Sequence, residues 1–243
     1  MNTKFTSTQI LIFILLLFVT TISKAEIKLP ALFGDGVVLQ RNTQLKITGW
    51  AAAGEKVTLT FKGKKYSTKT SREGRWNLEL PPQQAGGPFE MVFKGKNEIT
   101  VSNVLFGDVW LCSGQSNMVL PMERVKEKFP EDIAKANYTE IRNFFISTNT
   151  NLNGPQDDLG SGSWREANPK DVLTFGALTY FFAKKIYEEY KVPIGIINAS
   201  VGGTPIEAWI SKEGFSDFPE VLKTIEKNQD SKYIDSLKNA TKP

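Results

Sequence analysis

The residues best suited to chemistry lie in one short segment, GDVWLCSGQSNM, at positions 107–118. Strand-forming residues there lead into a tight polar turn that carries Ser116. A serine hydroxyl attacks a carbonyl when a base removes its proton and hydrogen-bond donors stabilise the oxyanion that forms. Gly114 permits a close backbone approach, and Gln115 and Asn117 flank the serine, where they could orient a substrate or the loop itself. The segment alone leaves two interpretations open, a nucleophile or a polar loop with a capping serine.

A second segment, NASVGGTPIEAW at positions 198–209, follows a short apolar run. Gly202 and Gly203 would leave backbone N–H groups unobstructed, which an oxyanion hole requires. A glycine pair is also common in turns that cradle a phosphate and in ordinary tight turns. No GK[ST] sequence occurs in this segment, so a P-loop is disfavoured.

The elements around these segments predict a parallel α/β sheet. Apolar residues at three- and four-residue spacing predict one face of a helix that ends near Lys191 and is stopped by Pro193. The apolar run at 194–197 then has the profile of a strand buried on both faces. Ser116 and the glycine pair both come directly after such strands, where α/β proteins place their sites. The residues on the predicted helix face are Leu178, Phe181, Phe182, Ile186 and Tyr190.

Residues 26–105 have a different pattern from the rest of the chain. Short apolar segments recur there every 8 to 12 residues or so and are separated by glycine turns. This pattern predicts an antiparallel β-sandwich module. We therefore expect an α/β protein with this module first and a partial parallel α/β domain at 106–243. The predicted strands are Val37–Leu39, Leu45–Trp50, Val57–Phe61, Trp76–Leu80, Phe89–Phe93 and Ile99–Val101, followed by a separate run at Val109–Cys112, and Gly86-Gly87-Pro88 is one of the predicted turns.

Residues 1–25 are predicted to be a secretory signal peptide. Lys4 gives a basic start, an unbroken apolar run covers 10–19, and the segment ends in a small-x-small pattern at Ala25. About ten apolar residues are too few to span a bilayer, which needs about 20, so we expect no membrane span in the mature chain. The predicted destination is the periplasm or the medium.

Composition narrows the function classes. The 243 residues contain one cysteine and no histidine. Cys112 cannot form an internal disulfide and is expected to be a small buried hydrophobe. Without the signal, 28 basic and 26 acidic residues remain, and the lysines are scattered, so nucleic-acid binding has little support. No metal site of histidine, cysteine and acids can be assembled, and we expect no cofactor.

Together the two segments resemble the sialate O-acetylesterase family of SGNH-type hydrolases. The similarity rests on GDVWLCSGQSNM, on VPIGIINASVGGTPIEAWIS, on the helix-strand unit FGALTYFFAKKIYEEYKVPIG between them, and on the opening LPALFGDGVVLQR. The resemblance implies an SGNH-like α/β domain and Ser116 as a nucleophile that forms an acyl-serine intermediate, with its own N–H in the oxyanion hole. It implies Gly202 or Gly203 as the second oxyanion donor, and an acetylated sugar such as sialic acid as the substrate.

Two blocks of that family are missing from this sequence. One is a QGE-type segment ending in Asn or Asp, which should add a side-chain oxyanion donor. The other is Asp-x-x-His, which should supply the base and its orienting carboxylate. Glu123, Asp158 and Glu207 are available carboxylates, but an ordinary carboxylate is a weak base near neutral pH. We therefore expect a truncated chain with little or no activity on its own.

Two other interpretations stay open. The chain could be a non-catalytic secreted protein that binds glycans through exposed aromatics such as Trp50, Trp76 or Tyr66, although ordinary sheet packing explains those residues as well. It could instead be half of a split esterase that pairs with a second polypeptide. A half-built sheet with an unpaired edge favours the second interpretation.

Overall fold

A computed structural model describes residues 26–151 and 154–240, so the predicted signal peptide at 1–25 lies outside the described residues. The strands are β1 (Val38–Gln40), β2 (Leu45–Trp50), β3 (Lys56–Phe61), β4 (Lys64–Lys69), β5 (Arg75–Leu80), β6 (Gly86–Lys94), β7 (Glu98–Cys112), β8 (Tyr138–Phe145), β9 (Trp164–Ala167) and β10 (Ile194–Asn198). The α-helices are α1 (Ser116–Val119), α2 (Pro130–Ala134), α3 (Ala177–Tyr190), α4 (Pro219–Gln229) and α5 (Ser231–Ala240).

Most of the strands belong to one mixed sheet of eight, in the order β4-β3-β6-β7-β10-β8-β9, with β1 also paired to β7. Strand β7 runs parallel to both β1 and β10, and β10 also runs parallel to β8. The remaining pairings in this sheet are antiparallel. Strands β2 and β5 form a separate two-stranded sheet. The predicted parallel pairing of the strands that precede the two chemical segments is confirmed, because β10 lies beside the end of β7.

Several strand predictions need correction. The segments expected at 99–101 and 109–112 are one continuous strand, the 15-residue β7. The Gly86-Gly87-Pro88 segment, expected as a turn, begins β6. Strand β4, with sequence KKYSTK, was not predicted because a polar hairpin strand offers little apolar alternation to detect. The predicted boundary at 105/106 falls inside β7, and the division into a sandwich module and a partial α/β domain stays a prediction.

Two apolar cores lie on opposite faces of the sheet around β10, because successive side chains of a strand point to opposite sides. Ile197 belongs to the core shared with the two-stranded sheet, where Trp76 and Phe93 are buried with ring centroids 5.9 Å apart. Ile194 and Ile196 are buried in the second core, beneath α3. Strand β10 is therefore covered on both faces, as its apolar run predicts.

Helix α3 is confirmed, and it ends where Lys191 adopts a left-handed conformation, with φ of 52°. Its buried face differs in part from the predicted one. Phe181 and Ile186 pack partly buried against the core as predicted, whereas Leu178 is 55% exposed and Tyr190 is 59% exposed. The buried residues of the helix are Ala177, Thr179, Tyr180 and Ala183. Three of these side chains are small, and a search for large apolar residues overlooks them.

Among the described residues, the structure contains no helix that is both long enough and apolar enough to cross a membrane.

Candidate active site

Ser116 is the first residue of the short helix α1, four residues beyond the end of β7. Gly114, two residues earlier, has φ of 140°, a backbone conformation that residues with a side chain rarely adopt. A Cβ atom at this position would also stand 2.8 Å from Cγ of Met118. The glycine thus permits the sharp turn that brings Ser116 to the surface, where the serine is exposed.

The glycine pair lies beside the serine. A Cβ atom built on Gly202 would stand 3.9 Å from Oγ of Ser116. The two loops are joined by backbone hydrogen bonds, from Ala199 N to the Cys112 carbonyl at 2.8 Å and from Val201 N to the Gly114 carbonyl at 2.9 Å. Parallel pairing of β7 with β10 places both loops at the same edge of the sheet.

Backbone donors at this edge are available. The N–H groups of Ser116, Gly202 and Gly203 have no acceptor among the described residues. Free N–H groups next to a serine hydroxyl are the components from which an oxyanion hole is built. Gly202 is the glycine whose position faces Ser116, whereas Gly203 has φ of 77° and open space around it.

Gln115 and Asn117 differ in what they contact. Nε2 of Gln115 donates to the Thr204 carbonyl at 3.0 Å, so this side chain connects the serine turn to the glycine turn. Thr204 is itself held, because its hydroxyl donates to the Val201 carbonyl at 2.9 Å. Asn117 is exposed, and its side chain makes no hydrogen bond among the described residues. Gln115 therefore positions the loop, while Asn117 is free to meet a ligand.

Asn198 is a part of the site that the sequence did not reveal. It is completely buried at the end of β10 and donates through Nδ2 to the Met118 carbonyl at 3.4 Å. Its Oδ1 accepts hydrogen bonds from both the N–H and the hydroxyl of Ser200. Asn198 thus joins the end of β10 to the helix that carries Ser116. The available signal was a single polar residue closing an apolar strand.

Two further glycines permit close packing, Gly107 at the end of the β7–β10 pairing that is away from the serine and Gly176 beside the helix that carries the serine. A Cβ at Gly107 would collide with the Pro193 carbonyl, which accepts a hydrogen bond from Asp108 N at 2.9 Å. A Cβ at Gly176 would stand 2.7 Å from the Met118 carbonyl. These contacts explain why glycine begins the GDVW segment and why glycine precedes α3.

None of the carboxylates named from the sequence forms a hydrogen bond with the serine among the described residues. Glu207 is exposed in a 3₁₀ turn, and Glu123 lies 4.0 Å from Lys126 in another. Burial alone would raise the pKa of Asp158, but hydrogen bonds from Ala31 N–H and Lys28 outweigh it and hold the pKa below its usual value. Asp158 is therefore a structural anion.

No base contacts Ser116 within the part of the chain that the structure describes, since Oγ of Ser116 has no side-chain hydrogen bond there. The Cys112 thiol lies close to the turn, but burial raises its pKa, which keeps it protonated near neutral pH. In the described ranges, no three histidine, cysteine or acidic residues cluster closely enough to hold a metal ion. The arrangement supplies a nucleophile and backbone donors without a proton acceptor.

The aromatic residues considered for glycan binding are mostly structural. Trp76 is buried, not exposed as expected, and its Nε1 donates to the Trp50 carbonyl at 3.1 Å. Trp50 is half-buried, with the Lys28 ammonium 5.1 Å from its ring centroid. Tyr66 packs partly buried against the same core. Sheet packing explains these three rings.

Comparison with known proteins places this geometry in a class. A solved carbohydrate acetylesterase from Xanthomonas citri superposes with a TM-score of 0.74 and 37% sequence identity, over 77% of this chain and 43% of that one. The mixed α/β fold is thus similar to that part of a carbohydrate acetylesterase. Residues 106–238 match the model for the carbohydrate esterase family described as sialic acid-specific acetylesterase. The chain belongs to this family.

Named relatives agree with the assignment. Sialate O-acetylesterase of Rattus norvegicus is 32% identical over 220 residues, which is 82% of this chain and 40% of the rat protein. The enzyme of the same name from Homo sapiens is 32% identical over 195 residues, covering 73% of this chain and 37% of the human protein. The chain spans about two fifths of the length of these relatives. They are carboxylic ester hydrolases by name, which confirms the family inferred from the two segments.

Proposed function

We propose that this chain provides the nucleophile and the backbone oxyanion donors of a carbohydrate O-acetylesterase acting on sialic acid or a related acetylated sugar. One observation carries the proposal, the placement of Ser116 Oγ 3.9 Å from the Cβ position of Gly202 at the carboxyl edge of parallel strands. In the reaction, Oγ of Ser116 attacks the acetyl carbonyl, and the N–H groups of Ser116 and Gly202 stabilise the oxyanion. The sugar oxygen then leaves, and water hydrolyses the acetyl-serine.

The proton of Ser116 needs an acceptor that this sequence lacks, since it contains no histidine. Loss of the base from a serine triad costs on the order of a millionfold in turnover, while oxyanion donors and binding retain about 10³ to 10⁴ over water. We propose that the base comes from a complementing polypeptide segment that carries the Asp-x-x-His block. The unpaired edge of β7 supports this proposal.

That edge has the character of an unfinished sheet. From Trp110 to Cys112, β7 pairs with β10 on one side and with no strand on the other among the described residues. Trp110 is 43% exposed and Leu111 is 69% exposed, one on each face of the sheet. Open edges with exposed apolar residues invite pairing with another strand. A further parallel strand here would bring its own carboxyl end to the side of Ser116.

The decisive experiment compares aryl-acetate hydrolysis by the mature chain and by Ser116→Ala and Ser113→Ala variants. Each is assayed alone and with a polypeptide covering the second half of the Xanthomonas citri relative. Ser113 is an exposed serine in the same turn and provides the matched control. Alone, all three should show the same minimal rate. With the second polypeptide, the mature chain and Ser113→Ala should gain hydrolysis that Ser116→Ala lacks.

Equal gain in all three proteins would show that Ser116 is not the nucleophile. Ordinary enzyme rates in the mature chain alone, lost in Ser116→Ala, would show that the base lies within this sequence. Acetylated sialic acid and an acetylated neutral sugar, tested as substrates of the active mixture, then identify the sugar.

A further inference from the structure

A second polar pocket lies at the carboxyl edge of the sheet, on the side of β8 and β9 away from Ser116. It encloses about 480 Å³. Asn143, Phe145 and Arg165 lie on one face of the sheet there, since Asn143 and Phe145 are two residues apart in β8 and Arg165 pairs with Asn143 across β9. Strand β8 is two strands from β7, which corresponds to about 10 Å across the sheet.

Asn143 places a buried, unpaired hydrogen-bond acceptor in the wall of the pocket. This residue is only 3% exposed, lines the pocket, and has an Oδ1 atom with no hydrogen-bond donor among the residues that the structure describes. A buried acceptor without a partner costs about 1–3 kcal/mol, so folded proteins seldom retain one without a reason. A hydroxyl group of a ligand would supply the missing donor.

Other groups around the pocket suit a sugar ring. The Phe145 ring is 39% exposed and offers an apolar surface at the mouth. The hydroxyl groups of Ser147 and Ser163 also line it, and neither makes a hydrogen bond among the described residues. An apolar surface beside several unengaged hydroxyl and amide groups matches a ligand that has both C–H faces and hydroxyl groups.

The charges around the pocket favour a ligand with one negative charge. Asp171 is already occupied, because it accepts from Asn168 Nδ2 at 2.8 Å and from Arg165 at 3.3 Å. Lys170 is exposed and makes no ion pair within the described ranges. One uncompensated cation therefore remains at the pocket mouth, able to bind a carboxylate.

We propose that this pocket is a separate binding site for a monosaccharide that carries one carboxylate. The ring lies against Phe145, a hydroxyl donates to Oδ1 of Asn143, and the carboxylate pairs with Lys170. The choice of a sugar as the ligand rests on the proposed function, and the site extends that function by holding a sugar unit at the end of β8, two strands from the strand that leads to the serine.

The test uses the Ser116→Ala chain, so that binding is measured without hydrolysis and failure of the esterase proposal does not affect the result. N-acetylneuraminic acid and its methyl ester are titrated and followed by saturation-transfer NMR. We expect saturable binding of the acid and about tenfold weaker binding of the ester, because the ester removes the charged hydrogen bond. Equal binding of acid and ester, or no binding of the acid, would overturn the proposal.

Added variants locate the site. Phe145→Ala and Lys170→Gln should each weaken binding of the acid about tenfold, and Lys170→Gln should also remove the preference for acid over ester. Lys65→Gln is the matched control and should bind like the parent. Lys65 is exposed on β4, at the opposite end of the sheet from β9. Unchanged affinity in the first two variants would refute the site.

Asn143→Leu separates a binding role from a structural one. If Asn143 is kept for the ligand, its replacement by an apolar residue of similar volume should abolish binding while leaving the melting temperature unchanged or higher, because an unpaired buried amide is removed. A fall in melting temperature with affinity retained would refute the role assigned to Asn143.

Discussion

Two polar regions of this molecule use their hydrogen-bonding groups in opposite ways. We call the first region the Arg142 cluster, and it comprises Gly36, Asn103, Thr139, Arg142 and Glu166. Its members come from strands β7, β8 and β9 and from the segment before β1. The serine edge comprises residues 114–117 and 201–204. In the cluster, all five N–H donors of one buried guanidinium have an acceptor. At the serine edge, the hydroxyl and three backbone N–H groups have none among the described residues.

This difference shows that folding requires a buried polar group to be paired, whereas a binding site can leave exposed polar groups unpaired. Arg142 is 2% exposed, and burial lowers its pKa, yet an arginine stays charged at neutral pH and must be paired inside the protein. Its acceptors include the Gly36 carbonyl at 2.7 Å and Oδ1 of Asn103 at 2.8 Å. Unengaged groups at the serine edge are exposed to water, so they remain ready for a substrate at little cost.

The largest effect should come from breaking the Arg142 cluster. Arg142→Met removes the charge and leaves the carbonyls of Gly36 and Asn103 and the side-chain oxygen of Asn103 without their donor. We expect a loss of about 3–5 kcal/mol in the free energy of unfolding, measured by urea denaturation. Arg165→Met, on an exposed arginine of the neighbouring strand, is the control and should change stability little. Similar losses in both variants would contradict the contrast.

Close packing between β7 and the turn before β10 provides the second test. Gly107→Ala places a methyl group against the Pro193 carbonyl, at the point where β7 meets the turn before β10. Because the methyl group would meet two backbone atoms, the carbonyl carbon and oxygen of Pro193, the clash is relieved only if the two segments separate. We therefore expect the free energy of unfolding to fall by about 1–3 kcal/mol. Gly63→Ala is a useful comparison, because nothing lies within 4 Å there and only its φ of 73° opposes alanine. A larger loss at Gly63 would show that strand packing at Gly107 tolerates the methyl group.

The sequence predicts the serine edge better than it predicts the Arg142 cluster. The serine turn and the glycine pair carry recognisable local patterns, and their juxtaposition follows from parallel strands alone. Arg142, Gly36 and Asn103 are distant in sequence and follow no local pattern, so their meeting emerges only from the fold. The same reason explains Asn198, whose buried role depends on Met118, 80 residues earlier. The residue spacing predicts helix α3, but the small residues Ala177 and Ala183 in its buried face do not stand out in the sequence.

Asp158 is intermediate in exposure between the buried Arg142 and the exposed Ser116. Its contribution to stability should depend on pH. Its pKa is lowered in the folded protein, so the carboxylate contributes stability above the unfolded pKa, and this contribution is lost as pH falls through the folded pKa. Asp158→Asn should lower the free energy of unfolding by about 1–2 kcal/mol at pH 7. The difference from the parent should shrink below about pH 4, where the unfolded carboxyl is protonated. A difference that stays constant down to pH 2 would show that the charge is irrelevant.

The smallest effect on stability should occur at Gln115, whose side chain provides the only side-chain hydrogen bond between the two loops of the serine edge among the described residues. Nε2 of Gln115 donates to the Thr204 carbonyl at 3.0 Å in an exposed position, so Gln115→Ala should cost no more than about 1 kcal/mol. In the complemented esterase assay, we expect a clear fall in kcat, because the serine and the glycine donors lose their common register. Asn117→Ala, without such a link, should change KM instead. If Gln115→Ala lowered stability strongly and left kcat unchanged, the serine edge would resemble the Arg142 cluster, and its free groups would be less prepared for catalysis than their geometry indicates.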